Sequence, residues 1–116
     1  MDEVTIYHNP SCSKSRQTLQ LLREHGIEPC IIHYLQAPPS VPTLRALLAG
    51  MQLPARELLR SGEDEYRTLG LDDPQLDDDD LLDAMQRHPR LINRPIVVTS
   101  RGARLCRPPE RVLELL

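Results

Sequence analysis

Val4-Thr5-Ile6-Tyr7-His8-Asn9-Pro10-Ser11-Cys12 is the stretch of sequence from which the fold class follows. Its first five residues alternate in polarity and are rich in β-branched side chains, so they predict a β-strand. Asn9-Pro10-Ser11 interrupts that pattern. Leucines then recur at helical spacing over residues 13–25, and Gly26 is a typical helix stop. Cys12 is therefore expected between the end of a strand and the start of a helix.

The flanking segments predict three more strands. Pro29-Cys30-Ile31-Ile32-His33-Tyr34 is apolar enough to lie centrally in a sheet. Because βαβ crossovers are right-handed, this strand is expected to run parallel to the first. Residues 96–99 and 103–106 flank the turn Ser100-Arg101-Gly102 and predict a β-hairpin. A final helix is predicted over residues 111–116, after Pro108-Pro109-Glu110.

The middle of the chain predicts helices. Ser40 can cap a helix that runs to about Met51, short helical pieces follow over residues 56–60 and 63–69, and a further helix ends near His88-Pro89. Four aspartates, residues 77–80, precede that last helix and are interpreted as its cap rather than as a metal site. The predicted fold is one α/β domain over residues 1–116. It has a four-stranded mixed sheet flanked by helices and a helical insertion between the second and third strands.

Composition excludes several classes of function. The chain has 116 residues, a net charge of −3, three tyrosines and neither Trp nor Phe, so no nucleic-acid partner is expected. The N-terminal residues 1–4 lack the basic and apolar regions of a signal peptide, and no apolar run is long enough to span a bilayer. Three cysteines make a disulfide scaffold improbable, and four scattered histidines predict no metal site. A cytoplasmic protein without membrane contact is predicted.

Cys12 is the predicted reactive group. Free N–H groups and the positive end of a helix dipole stabilise a thiolate and lower its pKa. His8, Lys14 and Arg16 are close in sequence and could add positive charge. Ser15 occupies the place of a resolving cysteine in a Cys-x-x-Cys motif, so an adduct on Cys12 would be resolved by an external thiol or a distant cysteine. Glutathione is the natural external thiol in a reducing cytoplasm.

A phosphatase motif at Cys12 and a reactive role for the other two cysteines are both disfavoured. The phosphatase-like motif Cys-x5-Arg is excluded because Thr18 stands where its arginine would be. Cys30 lies in a predicted strand and is expected to be a packed core residue. Cys106 is also expected to be structural, because strand alternation turns it away from its neighbour Arg107.

Several long motifs of the chain occur together in one known family. These motifs are Thr5-Ile6-Tyr7-His8-Asn9-Pro10-Ser11-Cys12, Ile31-Ile32-His33-Tyr34-Leu35, Arg56-Glu57-Leu58-Leu59-Arg60, Leu69-Gly70-Leu71, His88-Pro89, Leu91-Ile92-Asn93-Arg94-Pro95-Ile96-Val97-Val98-Thr99 and Arg104-Leu105-Cys106-Arg107-Pro108. With them the chain resembles the glutaredoxin-linked arsenate reductases over nearly its whole length. The resemblance implies a thioredoxin-like fold.

The resemblance also implies site residues. Cys12 would attack arsenate, His8 would help to activate the thiol, and the oxyanion would be bound by Arg60, Arg94 and Arg107. Guanidinium groups suit this task because they donate paired, charge-assisted hydrogen bonds to tetrahedral oxyanions. Arg94-Pro95 resembles the cis-proline turn that thioredoxin folds place beside the active thiol.

The implied reaction needs thiols rather than a bound cofactor. Glutathione would reduce the arsenic adduct on Cys12, and glutaredoxin would then remove glutathione. Two alternatives remain open at this point. One is a redox-linked regulatory protein of the same fold that binds RNA polymerase, although Ser15 removes the usual Cys-x-x-Cys switch. The other is a thiol oxidoreductase that acts on another substrate.

Overall fold

The computed structural model describes residues 3–116, so the part of the signal-peptide prediction that concerns Met1 and Asp2 lies outside it. The strands are β1 (Thr5–His8), β2 (Cys30–His33), β3 (Ile96–Thr99) and β4 (Gly102–Leu105). The α-helices are α1 (Ser13–Glu24), α2 (Val41–Met51), α3 (Ala55–Leu58), α4 (Asp64–Thr68) and α5 (Asp78–Arg87), and Pro89–Leu91 and Pro109–Leu115 form 3₁₀ helices. None of the helices in the described part of the chain is both long and apolar enough to cross a membrane.

The described residues form two compact units. The sheet unit comprises residues 3–37 and Arg94–Leu116, and the helical unit comprises Pro38–Asn93. All four strands belong to the sheet unit, and the helical unit is the insertion predicted between the second and third strands. The expectation of one domain over residues 1–116 stays a prediction.

The sheet has the strand order β2-β1-β3-β4. β1 pairs in parallel with β2, with Thr5 opposite Cys30, as the right-handed crossover predicts. β1 pairs antiparallel with β3, and β3 pairs antiparallel with β4 in the predicted hairpin. The predicted mixed four-stranded sheet is therefore confirmed.

The position predicted for β2 is wrong. This strand lies at the edge of the sheet, and Cys30, expected in the core, is exposed. The central position beside β1 is taken by β3, which pairs with both β1 and β4. Apolar composition predicts a strand, but an edge strand covered on one face has much the same composition as a central one.

The core of the sheet unit lies between the sheet and two helices. α1 packs against β1 and against the C-terminal 3₁₀ helix. The buried cluster consists of Val4, Ile6, Leu19, Leu22, Val97, Cys106, Val112 and Leu115. α1 ends where Gly26 adopts φ +75°, a left-handed conformation that lets the Ile27 N–H donate to the Leu22 carbonyl at 2.9 Å. The sequence predicts the last helix over residues 111–116, whereas the structure has a 3₁₀ helix that begins earlier, at Pro109, and ends at Leu115.

The helical unit packs α2, α3 and the short 3₁₀ helix around α5. Ser40 caps α2 as predicted, because its Oγ accepts the Thr43 N–H at 3.2 Å. Asp77 and Asp80 form a reciprocal capping box at the start of α5, which confirms the interpretation of the aspartate run as a cap. The predicted helical piece 56–60 ends two residues early, since Leu59 is extended and forms an antiparallel bridge with Ile92.

Candidate active site

Cys12 lies at the junction of strand and helix that the sequence predicts. It is the N-cap residue of α1, with an extended backbone (φ −96°, ψ 123°). Its N–H donates to the Asn9 carbonyl at 3.0 Å, and its own carbonyl accepts the Arg16 N–H at 3.0 Å. Cys12 is 7% exposed and stands outside the buried cluster of the sheet unit. The sulfur is thus held at the mouth of a helix with a small opening to solvent.

The pKa of the Cys12 thiol is lowered despite this burial. Desolvation acts to raise the pKa, but the nearby backbone N–H groups of Ser15 and Lys14 lower it. The positive charges of Arg94 and Arg107 act in the same direction. The net result favours the thiolate, which is the nucleophilic form.

The predicted contribution of nearby cations is partly wrong. Burial and the charges of His33, Arg23 and Arg16 lower the pKa of His8 below 6.5. His8 is therefore mainly neutral at pH 7 and adds no positive charge to the thiolate. Lys14 acts on Cys12 through its backbone N–H.

Ser15 connects the strand, the turn and the first turn of α1. Its side chain is 0% exposed, and its Oγ is 2.5 Å from Nδ1 of His8. The same Oγ accepts the Asn9 N–H at 3.1 Å. Since the Asn9 N–H can only donate, the Ser15 hydroxyl accepts that bond and keeps its own hydrogen for a second one, and Nδ1 of His8 is within reach.

This connecting role was missed in the sequence, where Ser15 is noted only as the residue that replaces a resolving cysteine. The sequence nevertheless contains a signal for this role of Ser15. Ser15 lies four residues before Leu19 and seven before Leu22, on the buried stripe of the helix. A serine on such a stripe needs hydrogen-bond partners within the fold.

Arg94 precedes β3 and Arg107 follows β4, so both lie at the open end of the β-hairpin, near Cys12. Nη1 of Arg107 donates to the Arg94 carbonyl at 3.2 Å, and the Cys106 N–H donates to the Pro95 carbonyl at 2.9 Å. The Arg94-Pro95 peptide bond is cis, as the resemblance implies, and the Arg107-Pro108 peptide bond is also cis. Both predicted arginines thus act electrostatically on the same thiol.

Arg60, the third predicted arginine, belongs to the helical unit. Its N–H donates to the Leu91 carbonyl at 2.8 Å, directly after the bridge between Leu59 and Ile92. Its Nη1 lies 2.7 Å from Oε1 of Glu63. The backbone N–H of Arg60 and its Nη1 are therefore both bound by residues of that unit.

The remaining cysteines differ from Cys12. Cys106 is 0% exposed, and burial raises the pKa of its thiol to about 12, so it is a packed core residue as predicted. Cys30 is exposed on the edge strand. Within residues 3–116 no group of three His, Cys, Asp or Glu side chains is arranged to hold a metal ion.

Comparisons with known proteins identify the family and the relatives of this chain. The ArsC family matches residues 7–115. An arsenate reductase of Escherichia coli K12 is 53% identical over 116 residues, which cover 100% of this chain and 82% of that protein. An uncharacterized protein of the same organism, YfgD, is 52% identical and is matched over 97% of its length and 98% of this chain.

A solved structure extends the likeness to three dimensions. The arsenate reductase from Vibrio cholerae superimposes with a TM-score of 0.95 at 52% identity, covering 98% of each chain. This confirms the thioredoxin-like α/β fold and the resemblance on which the site residues depend. The chain belongs to the ArsC family.

Proposed function

We propose that this chain, a member of a family that includes arsenate reductases, reduces arsenate to arsenite through Cys12, with glutathione as the thiol donor. The observation that carries the proposal is the environment of one sulfur. Cys12 is the N-cap of α1 and lies in the field of Arg94 and Arg107, and these charges together with the backbone N–H groups of Ser15 and Lys14 lower its pKa. Sequence identity of 53% to an arsenate reductase supports arsenate as the substrate.

The first step is nucleophilic attack. The Cys12 thiolate forms a bond to arsenic(V), and one arsenate hydroxyl group takes up a proton from solvent and leaves as water. Negative charge builds on the arsenic oxygens during this attack. Arg94 and Arg107 would stabilise that charge, and loss of one such donor costs about 2–4 kcal/mol of transition-state stabilisation by analogy with an oxyanion hole, whereas Arg60 would bind the arsenate oxyanion before the attack.

The second step transfers two electrons. Glutathione thiolate attacks the adduct at the Cys12 sulfur, and the electron pair of the sulfur–arsenic bond stays on arsenic, which becomes trivalent. Two thiols are thereby oxidised to a Cys12–glutathione disulfide while arsenic is reduced. Because Ser15 cannot supply a second thiol, glutaredoxin would remove glutathione from Cys12 by thiol–disulfide exchange.

His8 and Pro95 have supporting roles in this proposal. His8 assists thiol activation by holding Ser15, and thereby the first turn of α1, rather than by its charge. Pro95 forms the turn that presents the Arg94 backbone carbonyl to Arg107.

The proposal is tested by arsenate-dependent turnover with glutathione, glutaredoxin and a nicotinamide-coupled reductase. Cys12→Ser should abolish turnover, because the hydroxyl of serine is a far weaker nucleophile at neutral pH. Cys30→Ser is the matched control, since it removes an exposed thiol and should leave turnover unchanged. Absence of turnover in the unmodified protein, or activity retained in Cys12→Ser, would contradict the proposal.

A further inference from the structure

Glu63 contacts the one predicted oxyanion-binding arginine that lies in the helical unit. We infer that Glu63 is a positioning residue that holds the Arg60 guanidinium in the orientation needed to bind an oxyanion. The role in oxyanion binding rests on the proposed function, whereas the contact between Glu63 and Arg60 does not depend on it. Oε1 of Glu63 lies 2.7 Å from Nη1 of Arg60.

Hydrogen bonds fix the backbone of Arg60, so only its side chain can change orientation. The Arg60 N–H donates to the Leu91 carbonyl at 2.8 Å, and the Asn93 N–H donates to the Leu58 carbonyl at 2.8 Å. These two bonds flank the bridge that joins Leu59 to Ile92. An arginine on such a fixed backbone still has four rotatable side-chain bonds, so its guanidinium needs a partner to select one orientation.

Glu63 has the position and the burial to be that partner. Its side chain is 14% exposed, less than the 28% of Arg60. It is the N-cap residue of α4, yet its side chain makes no capping hydrogen bond. The carboxylate is directed to the arginines instead of to the free N–H groups of its own helix, which are the usual partners of an acid at this position.

The second carboxylate oxygen of Glu63 is also occupied. Nη2 of Arg90 lies 3.1 Å from Oε2 of Glu63, and Nε of Arg90 lies 4.0 Å from Glu65. With both oxygens bound, the carboxylate cannot rotate without losing a charge-assisted bond. Arg90 therefore fixes Glu63, and Glu63 fixes Arg60.

Kinetics of Glu63→Gln test this arrangement. The variant keeps the shape of the side chain but loses its charge, so we expect the KM for arsenate to rise about five- to tenfold while kcat changes less than about twofold. Asp64→Asn is the matched control. It makes the same change in net charge at the next residue, in an exposed pair with Arg67 at 3.3 Å, and should leave KM unchanged.

A double-mutant cycle separates positioning from general damage to the fold. In an Arg60→Ala background, Glu63→Gln should have no further effect on KM, because there is no guanidinium left to hold. An equal rise in KM in both backgrounds would show that Glu63 has only a structural role. A KM in Glu63→Gln equal to that of Asp64→Asn would also overturn the inference.

A measurement that needs no turnover completes the test. In protein labelled with ¹⁵N-arginine, rotation of the Arg60 guanidinium about its Nε–Cζ bond can be followed by NMR. We expect slow rotation in the unmodified protein and in Asp64→Asn, and faster rotation in Glu63→Gln. Equal rotation in all three would refute the positioning role even if arsenate is reduced. If the Arg60 guanidinium rotates more slowly in the unmodified protein than in Glu63→Gln but no arsenate is reduced, the result would contradict the proposed function and not the positioning role.

Discussion

Ser15→Ala is expected to lower the free energy of unfolding by about 2–4 kcal/mol. The Ser15 hydroxyl is 0% exposed and satisfies two groups, Nδ1 of His8 at 2.5 Å and the Asn9 N–H at 3.1 Å. A buried polar group left without its partner costs about 1–3 kcal/mol, and alanine has no atom that could replace either bond. Two such groups would cost about 2–6 kcal/mol, and the lower part of that range, about 2–4 kcal/mol, is expected because Asn9 is only half-buried and water can reach its N–H.

Ser13→Ala is the matched control for this substitution. Ser13 lies in the same turn of α1 and carries the same hydroxyl, but it is exposed, so its loss should change stability by less than about 0.5 kcal/mol. Comparing the two variants removes any general effect of alanine on helix propensity. The difference between them isolates the two hydrogen bonds of the buried hydroxyl.

Denaturant unfolding at pH 7 measures both variants, and thermal unfolding gives an independent value. For a chain of this length about 4 °C of Tm corresponds to 1 kcal/mol, so Ser15→Ala should lower Tm by roughly 8–16 °C. The alkylation rate of Cys12 should fall as well, because the turn that presents its thiolate is no longer tied to the helix. A loss of stability no larger than that of Ser13→Ala would refute the role assigned to Ser15.

Four further predictions follow from the pKa shifts, the burial and the helix caps. Alkylation of Cys12 should have a midpoint below that of a free thiol measured under the same conditions, and a midpoint at or above it would contradict the lowered pKa. In the folded protein a thiol reagent should modify the exposed Cys30, while Cys106 reacts only on unfolding because burial raises its pKa to about 12. Burial lowers the pKa of His8 in the folded protein below 6.5, so the His8 imidazole binds a proton more readily in the unfolded chain. The free energy of unfolding should therefore fall as pH falls below 6.5, and His8→Gln should lack this contribution. Asp77→Ala should destabilise the protein by about 1 kcal/mol in denaturant unfolding through loss of the α5 cap, whereas the same loss in Asp78→Ala would contradict the capping role.

Local patterns were sufficient to predict most of the elements. Alternation predicts β1, leucine spacing and Gly26 predict α1, and the aspartates predict the start of α5, because each signal lies within the element it describes. The edge position of β2 could not be predicted in this way. It depends on β1 pairing with β3, a segment about ninety residues further along the chain.

The difference between local signals and contacts with distant segments also applies to the site. Ser15 and Glu63 were missed although each has a local signal: Ser15 lies on the buried stripe of α1, and Glu63 follows Arg60 by three residues. Their function depends on partners whose orientation is set by tertiary packing. The neutral state of His8 is a similar case, since it results from burial and from His33 on a neighbouring strand.

Two kinds of interaction stabilise the Cys12 thiolate, and they differ in how the sequence encodes them. The N–H groups of Ser15 and Lys14 belong to the backbone, so they are present whenever a helix begins at this point. The charges of Arg94 and Arg107 come from side chains about eighty to ninety-five residues away, and a single substitution removes either one. The activated thiol is therefore encoded mainly by where the strand ends and the helix begins. This explains why residues 4–16 alone could predict the nucleophile, while the residues proposed to bind its oxyanion could be identified only through the resemblance of the whole chain to a family.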